Sequence, residues 1–273
     1  MANPVPPPAA PARPRPETWR PFHTLATIVL VVAVALVGWL VPFANVRTSW
    51  ILTLLLLLAF LVVAGQGITG RADGLMIDER NKMSLSRFQM VLWTVLILSA
   101  FLAVALARVR EGMVADPLAI ALPQELWILM GISTTSLVGS PLINNAKRKR
   151  NADDRQLAET ISQLRDQGTN ANEVDSEGLL VVNRDLSAAR WSDMFRGEEA
   201  GNAAVLDIAK VQMFFFTIIL VIAYASALTA ALASGPVGEF PAVSQGMLAL
   251  LGISHTGYLT SKGVTHSETG QQP

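Results

Sequence analysis

Cysteine is absent from this chain, which excludes disulfides, thiolate zinc sites, iron–sulfur clusters and thiol catalysis. The three histidines, His23, His255 and His266, lie far apart and show no short ligand spacing, so neither metal nor cofactor is expected. Charge is also scarce. Asp, Glu, Lys and Arg make up 15% of the chain, where soluble domains carry about 25%. The formal net charge is zero, and no global field points to nucleic acid as a partner. The phosphate-binding pattern G-x-x-x-x-G-K-[ST] is missing, as are G-x-S-x-G and H-E-x-x-H. Buried acid–base pairs are lacking too, so the chain is not read as an enzyme; a membrane enzyme resting on His255 alone ranks last.

What the chain has is apolar length. Hydrophobic residues make up 51% of it. A membrane helix needs roughly 20 apolar residues to cross about 30 Å of hydrocarbon. Six stretches free of Asp, Glu, Lys and Arg have the required character: 24–46, 48–70, 88–107, 126–141, 211–233 and 241–261. Pro141 is expected to end the fourth helix, because proline removes an intrahelical bond. The first stretch is too long for a signal peptide and follows a Pro-rich tail, so it is read as a retained span. The fold class is therefore all-α: a six-span helical membrane protein.

Orientation follows from the basic residues, which stay cytoplasmic in segments flanking spans. With both termini inside, 18 of the 21 Lys and Arg fall in the cytoplasm, including the Lys147–Arg150 cluster. Trp39, Trp50 and Trp127 then fall at the outer ends, where an indole suits the interface. The expected location is a bacterial plasma (inner) membrane, multi-pass, with the lipid bilayer as first partner.

One phrase occurs twice. "RFQMVLWT", Arg87 to Thr94, is answered by "KVQMFFFT", Lys210 to Thr217. Downstream, "LMGISTTSLVGS" (Leu129 to Ser140) is answered by "LLGISHTGYLTS" (Leu250 to Ser261). The repeating unit is a two-helix hairpin, and each copy begins and ends on the same side, as in parallel repeats. The organisation expected is a Pro-rich disordered tail (1–22), a first hairpin (23–70), a connector (71–87) and repeat hairpin one (88–146). A small cytoplasmic subdomain (147–207), repeat hairpin two (208–262) and a short tail (263–273) follow.

Within the spans, polar side chains stand out because each is costly in hydrocarbon unless paired. Gln89 and Gln212 open the two phrases. Ser133 and Ser254 are equivalent in the repeat. His255 is the one ionisable residue deep in a span, which makes it a functional candidate. These five residues are expected either to hydrogen-bond between helices, each Gln in a symmetric contact, or to line a polar path. Small residues such as Gly131, Thr135 and Gly139 favour close helix packing.

In the 147–207 segment, Asp153 is expected to cap a helix striped by Leu157, Ile161 and Leu164. Leu179 to Val182 reads as a short β-run. Arg190, Trp191, Phe195 and Arg196 combine aromatics with arginine, a composition common at binding hot spots. They also sit where aromatics anchor to a membrane surface. The leading expectation is an integral membrane scaffold, homo-oligomeric, that engages a cytoplasmic protein partner through 147–207. The alternative is a small solute or ion channel or transporter with a path between the two hairpins.

Overall fold

The computed structural model describes residues 19–40, 45–112, 116–235 and 237–267. Seven α-helices dominate: α1 (Pro21–Leu40), α2 (Val46–Thr69), α3 (Leu85–Arg110), α4 (Gln124–Arg148), α5 (Asp154–Asp166), α6 (Ile208–Ala231) and α7 (Gln245–Gly263). Four runs are long and apolar enough to cross a membrane: Val46–Thr69, Leu85–Arg110, Gln124–Arg148 and Ile208–Ser234. The chain is thus a mostly helical protein with membrane-spanning character.

The helix boundaries follow local chemistry. A side chain placed just before a helix can accept from its free N–H groups. Asn45 does so for α2, Ser84 for α3, Asp153 for α5, Asp207 for α6 and Ser244 for α7. Gly70 ends α2 in the left-handed region, at φ 76°, and bonds back to Gln66. Pro21 opens α1, where its fixed φ suits a first helical residue. The helix therefore takes in the end of the segment expected to be a disordered tail. Residues 1–18 of that tail, residues 268–273 and the Trp39 side chain lie outside what is described.

Four helices form a ring. α3 packs on α4, α4 on α7, α7 on α6, and α6 on α3. α1 and α2 pair with each other and lie against α3. At one end of the ring the loops before α4 and α7 join: Ala121 N–H donates to Gly238 O (2.8 Å), and Phe240 N–H to Ala121 O (3.0 Å). An apolar core fills that half, with Trp93, Leu126, Leu129, Leu228 and Leu251 almost fully buried.

At the other end sits a polar cap, made of residues 71–84, 149–207 and 264–267. It holds α5 and a small antiparallel hairpin, β1 (Val174–Glu177) and β2 (Leu180–Asn183), paired Val174 to Asn183. The short β-run is thus half of a two-stranded sheet, a local exception to the all-α class. Its residues Leu179, Leu180 and Val181 are fully buried. Leu164, with Leu157 and Ile161 beside it, packs on Val174 and Val181. The last described residues are not a free tail: Ser267 Oγ accepts from Gly201 N–H at 3.0 Å.

Two expectations are corrected. α4 does not stop at Pro141 but continues to Arg148. A proline inside a membrane helix costs one backbone bond, and surrounding helices make this tolerable. Trp50 is not an interfacial anchor. It is buried, and its indole N–H donates to Ser99 Oγ at 3.0 Å, joining α2 to α3. An indole that finds an acceptor on a neighbouring helix has no need of headgroup water. Trp127 remains exposed.

Close approach in the cap demands glycine at Gly201. A Cβ there would stand 1.9 Å from His266 O. Gly201→Ala should therefore destabilise the fold by about 1–3 kcal/mol, the usual range for overpacking. Thermal unfolding in detergent checks this, and an unchanged midpoint contradicts it.

Candidate functional site

Charged residues meet in one buried cluster where the cap touches the helices. Glu198 is its centre. Its Oε1 pairs with Lys210 Nζ at 2.7 Å, and its Oε2 with Lys262 Nζ at 2.6 Å and Arg80 at 3.2 Å. Arg80 also grips Asp78 through Nε (3.0 Å) and one terminal nitrogen (2.6 Å). The neighbouring Glu199 pairs with Lys147. Four cations thus face three carboxylates, and all seven residues are buried.

The four cations arrive on different elements. Arg80 comes from the connector, Lys147 from the last turn of α4, Lys210 from the first turn of α6, and Lys262 from the last turn of α7. Cations at the ends of α4 and α7 also meet the negative pole of those helices. Lys147 bonds two free carbonyls beyond its own helix, Lys262 O and, at 2.9 Å, Val264 O. The two glutamates lie between Gly197 and Gly201, where a Cβ would collide with Asn202 or His266. The chain can turn tightly enough to present both carboxylates only because those positions are glycine.

Burial disfavours the charge on Glu198, but Arg80, Lys210 and Lys262 outweigh it and hold the carboxyl well below its ordinary value. Burial also works against Arg80, and Asp78 and Glu198 reverse the effect, so its value rises. Lys82, close by, has no such compensation: burial pulls it down to about 8, although Asp193 opposes this. Its folded value lies below the ordinary 10.5, so the unfolded chain binds more protons across that window. Lys82 therefore makes stability rise with pH between about 8 and 10.5.

Above the cluster the ring interior stays polar for several turns. Lys262 Nζ donates to Tyr258 OH (3.4 Å), which meets Ser140 Oγ at 3.0 Å. One turn on, Ser136 Oγ and His255 Nδ1 are 2.6 Å apart. His255 Nε2 lies 3.5 Å from Gln89 Nε2, which donates to Thr217 Oγ1. Ser133 and Ser254 are buried on the facing sides of α4 and α7, and their hydroxyls have no partner among the described residues. Beyond them the apolar core begins.

Gln89, Ser133, Ser254 and His255 therefore share one interior, and Gln212 does not. Gln212 is exposed on α6, while Gln89 is 1% exposed. The symmetric glutamine contact is thus corrected. The inward positions of α6 are Lys210, Met213, Thr217 and Leu220; those of α3 include Ser86, Gln89, Trp93 and Leu96. These sets align one residue out of step with the repeated phrase. One residue is about 100° of helix rotation, enough to turn Gln212 away and bring Thr217 to face Gln89.

Arg190 and Trp191–Phe195 form a short 3-10 turn on the cap. Phe195 meets Phe214 edge-on, with centroids 5.0 Å apart, so it is already engaged by α6. Trp191 touches Phe88 at 5.9 Å yet is still 50% exposed. Arg190 donates to Gly168 O at 3.0 Å, and Arg196 lies beside Leu206 in a bridge.

The glutamate pair, Arg80, Lys147, Lys210 and Lys262 were not singled out from the sequence. The available signal was a pair of adjacent acids framed by glycines, together with Lys210 and Lys262, single cations at the ends of uncharged runs. Among the described residues, no group of His, Asp and Glu could hold a metal. No protein-family model, curated protein or solved structure matches the chain.

Glu198→Gln keeps the shape and removes the charge, leaving Lys210 and Lys262 without their anion and Arg80 with Asp78 alone. Breaking a buried ion pair typically costs about 3–5 kcal/mol. Wild-type stability should also fall as pH drops below the ordinary glutamate range, because the depressed carboxyl contributes only while ionised. Denaturation of wild type and variant across pH 3 to 7 tests both statements. A variant as stable as wild type and equally acid-sensitive contradicts them.

Proposed function

We propose that the chain is an integral membrane scaffold or anchor, whose cap presents a fixed surface to a cytoplasmic protein partner. The observation that carries this is the Glu198 cluster. A mobile tether would need no such lock. Three cations from three elements bind one buried carboxylate, so the cap's orientation on the helices is set. Trp191 is the large aromatic left half exposed on that cap, with Arg190 beside it. Phe195 serves the interior and is no longer part of the proposed contact.

The same proposal includes six spans, with both termini in the cytoplasm of a bacterial plasma membrane. α1 has 20 residues and α7 has 19. At 1.5 Å per residue each is about 30 Å long, close to the hydrocarbon thickness. Basic residues crowd the cap side. The internal repeat is part of this reading as well. It is supported by the ring order, in which α3 and α4 occupy one half and α6 and α7 the other, and by Ser133 and Ser254, both buried without partners among the described residues. Homo-oligomerisation rests on the small residues Gly131, Thr135, Gly252 and Thr256 along one groove between α4 and α7.

A second reading, a small channel or transporter, is favoured by the polar interior itself. Gln89 Oε1, Ser133 Oγ and Ser254 Oγ are buried without partners among the described residues, a pattern that hydrated or gated interiors share. The outer half, packed around Trp93 as an apolar cluster among the described residues, weighs against it.

Gentle extraction of the native membrane complex separates the two. The scaffold predicts a soluble protein that co-purifies with wild type and is lost in Trp191→Ala, with the unfolding temperature unchanged. A partner retained equally by both, or no partner at all, counts against it. The channel predicts solute flux in liposomes that His255→Ala abolishes; wild-type vesicles silent over a broad solute panel would remove that reading.

A further inference from the structure

An open groove of about 650 Å³ lies between α3 and α4 where those helices meet the cap. That volume is within the range of ligand sites, roughly 300–1,000 Å³. Its walls are apolar on the membrane side: Met90 and Val91 from α3, and Leu137, Val138 and Leu142 from α4. Val138 and Leu142 are more than half exposed, so this wall faces the bilayer rather than another helix.

The mouth is polar and carries both signs. Arg87 lines it and is held by one nitrogen on Ile77 O at 2.7 Å. No carboxylate among the described residues pairs with its guanidinium. Glu79 lines it too. Its Oε1 accepts from Asn144 Nδ2 at 3.2 Å, and no cationic side chain among the described residues pairs with it. The third group is Asn144 itself. It is 1% exposed, and its Oδ1 has no partner among the described residues. A buried acceptor without a donor is unfavourable, so a donor supplied from outside is favoured.

We propose that this groove is a binding site for a zwitterionic phospholipid with a primary ammonium headgroup. The acyl chain lies on Val91, Val138 and Leu142. The phosphate meets Arg87, and the ammonium donates to Asn144 Oδ1 and the Glu79 carboxylate. A quaternary choline has no N–H to give Asn144. An anionic glycerol headgroup leaves Glu79 unmatched, and a serine headgroup brings a second carboxylate against it. Position agrees with chemistry, since the mouth is at the membrane boundary of the cap. The proposal requires only that these helices span the bilayer; it does not depend on the scaffold.

The test is native mass spectrometry of the full chain titrated with phosphatidylethanolamine, phosphatidylcholine and phosphatidylglycerol of matched acyl length. The ethanolamine lipid should bind about tenfold more tightly than either alternative. Glu79→Gln should bring it down to the choline lipid. Leu142→Trp, which fills the groove from an exposed position, should remove binding while the unfolding temperature holds; Val138→Trp replaces it if that variant fails to fold. Equal affinity for all three lipids, a preference for the glycerol lipid, or binding unchanged by the filled groove would each overturn the assignment.

Discussion

One buried carboxylate organises the boundary between membrane and cap. Glu198 takes Arg80, Lys210 and Lys262 at once, and those residues come from the connector, the head of α6 and the foot of α7. Taking charges out of water is expensive, and only mutual pairing in good geometry offsets it. The arrangement therefore tolerates little displacement of any member. Asn81 and Asn183 add to this by exchanging side-chain to backbone bonds of 2.7 and 2.9 Å across the connector and β2. Asn81 sits at φ 56°, a left-handed conformation that asparagine tolerates better than most residues.

Polarity is graded along the ring. Full charges occupy the cap end, then tyrosine and serine hydroxyls, then the His255 imidazole with Gln89 and Thr217, and finally a hydrocarbon interior around Trp93. Full charges, the most costly groups to desolvate, are thus confined to the cap end. This ordering reconciles a membrane bundle with so many buried polar side chains. It also explains why the two halves of the ring differ in their packing partners although they share the same four helices.

Much of the frame was legible before any coordinates. Uncharged runs marked the long helices, and Asp153 stood where a cap belongs. The β-run at Leu179–Val182 showed in its β-branched, apolar residues. What stayed hidden depended on distance or rotation. Arg80, Glu198 and Lys262 are far apart in sequence and each alone resembles a surface charge. Gln89 and Gln212 share a phrase, but a one-residue turn of α6 separates their fates, and no local pattern reports such a rotation. Pro141 misled because the rule it obeys in water is relaxed when neighbouring helices surround the break.

The position of Lys262 in the chain has a temporal meaning. It lies at the foot of α7, so the Glu198 cluster is incomplete until that helix has been made and seated. Lys147 likewise waits for the carbonyls of Lys262 and Val264. A chain truncated before α7 would leave Glu198 and Glu199 with fewer of the groups that neutralise them. Assembly of the cap is thus tied to the seating of α7, because Glu198 Oε2 gains its Lys262 partner only then.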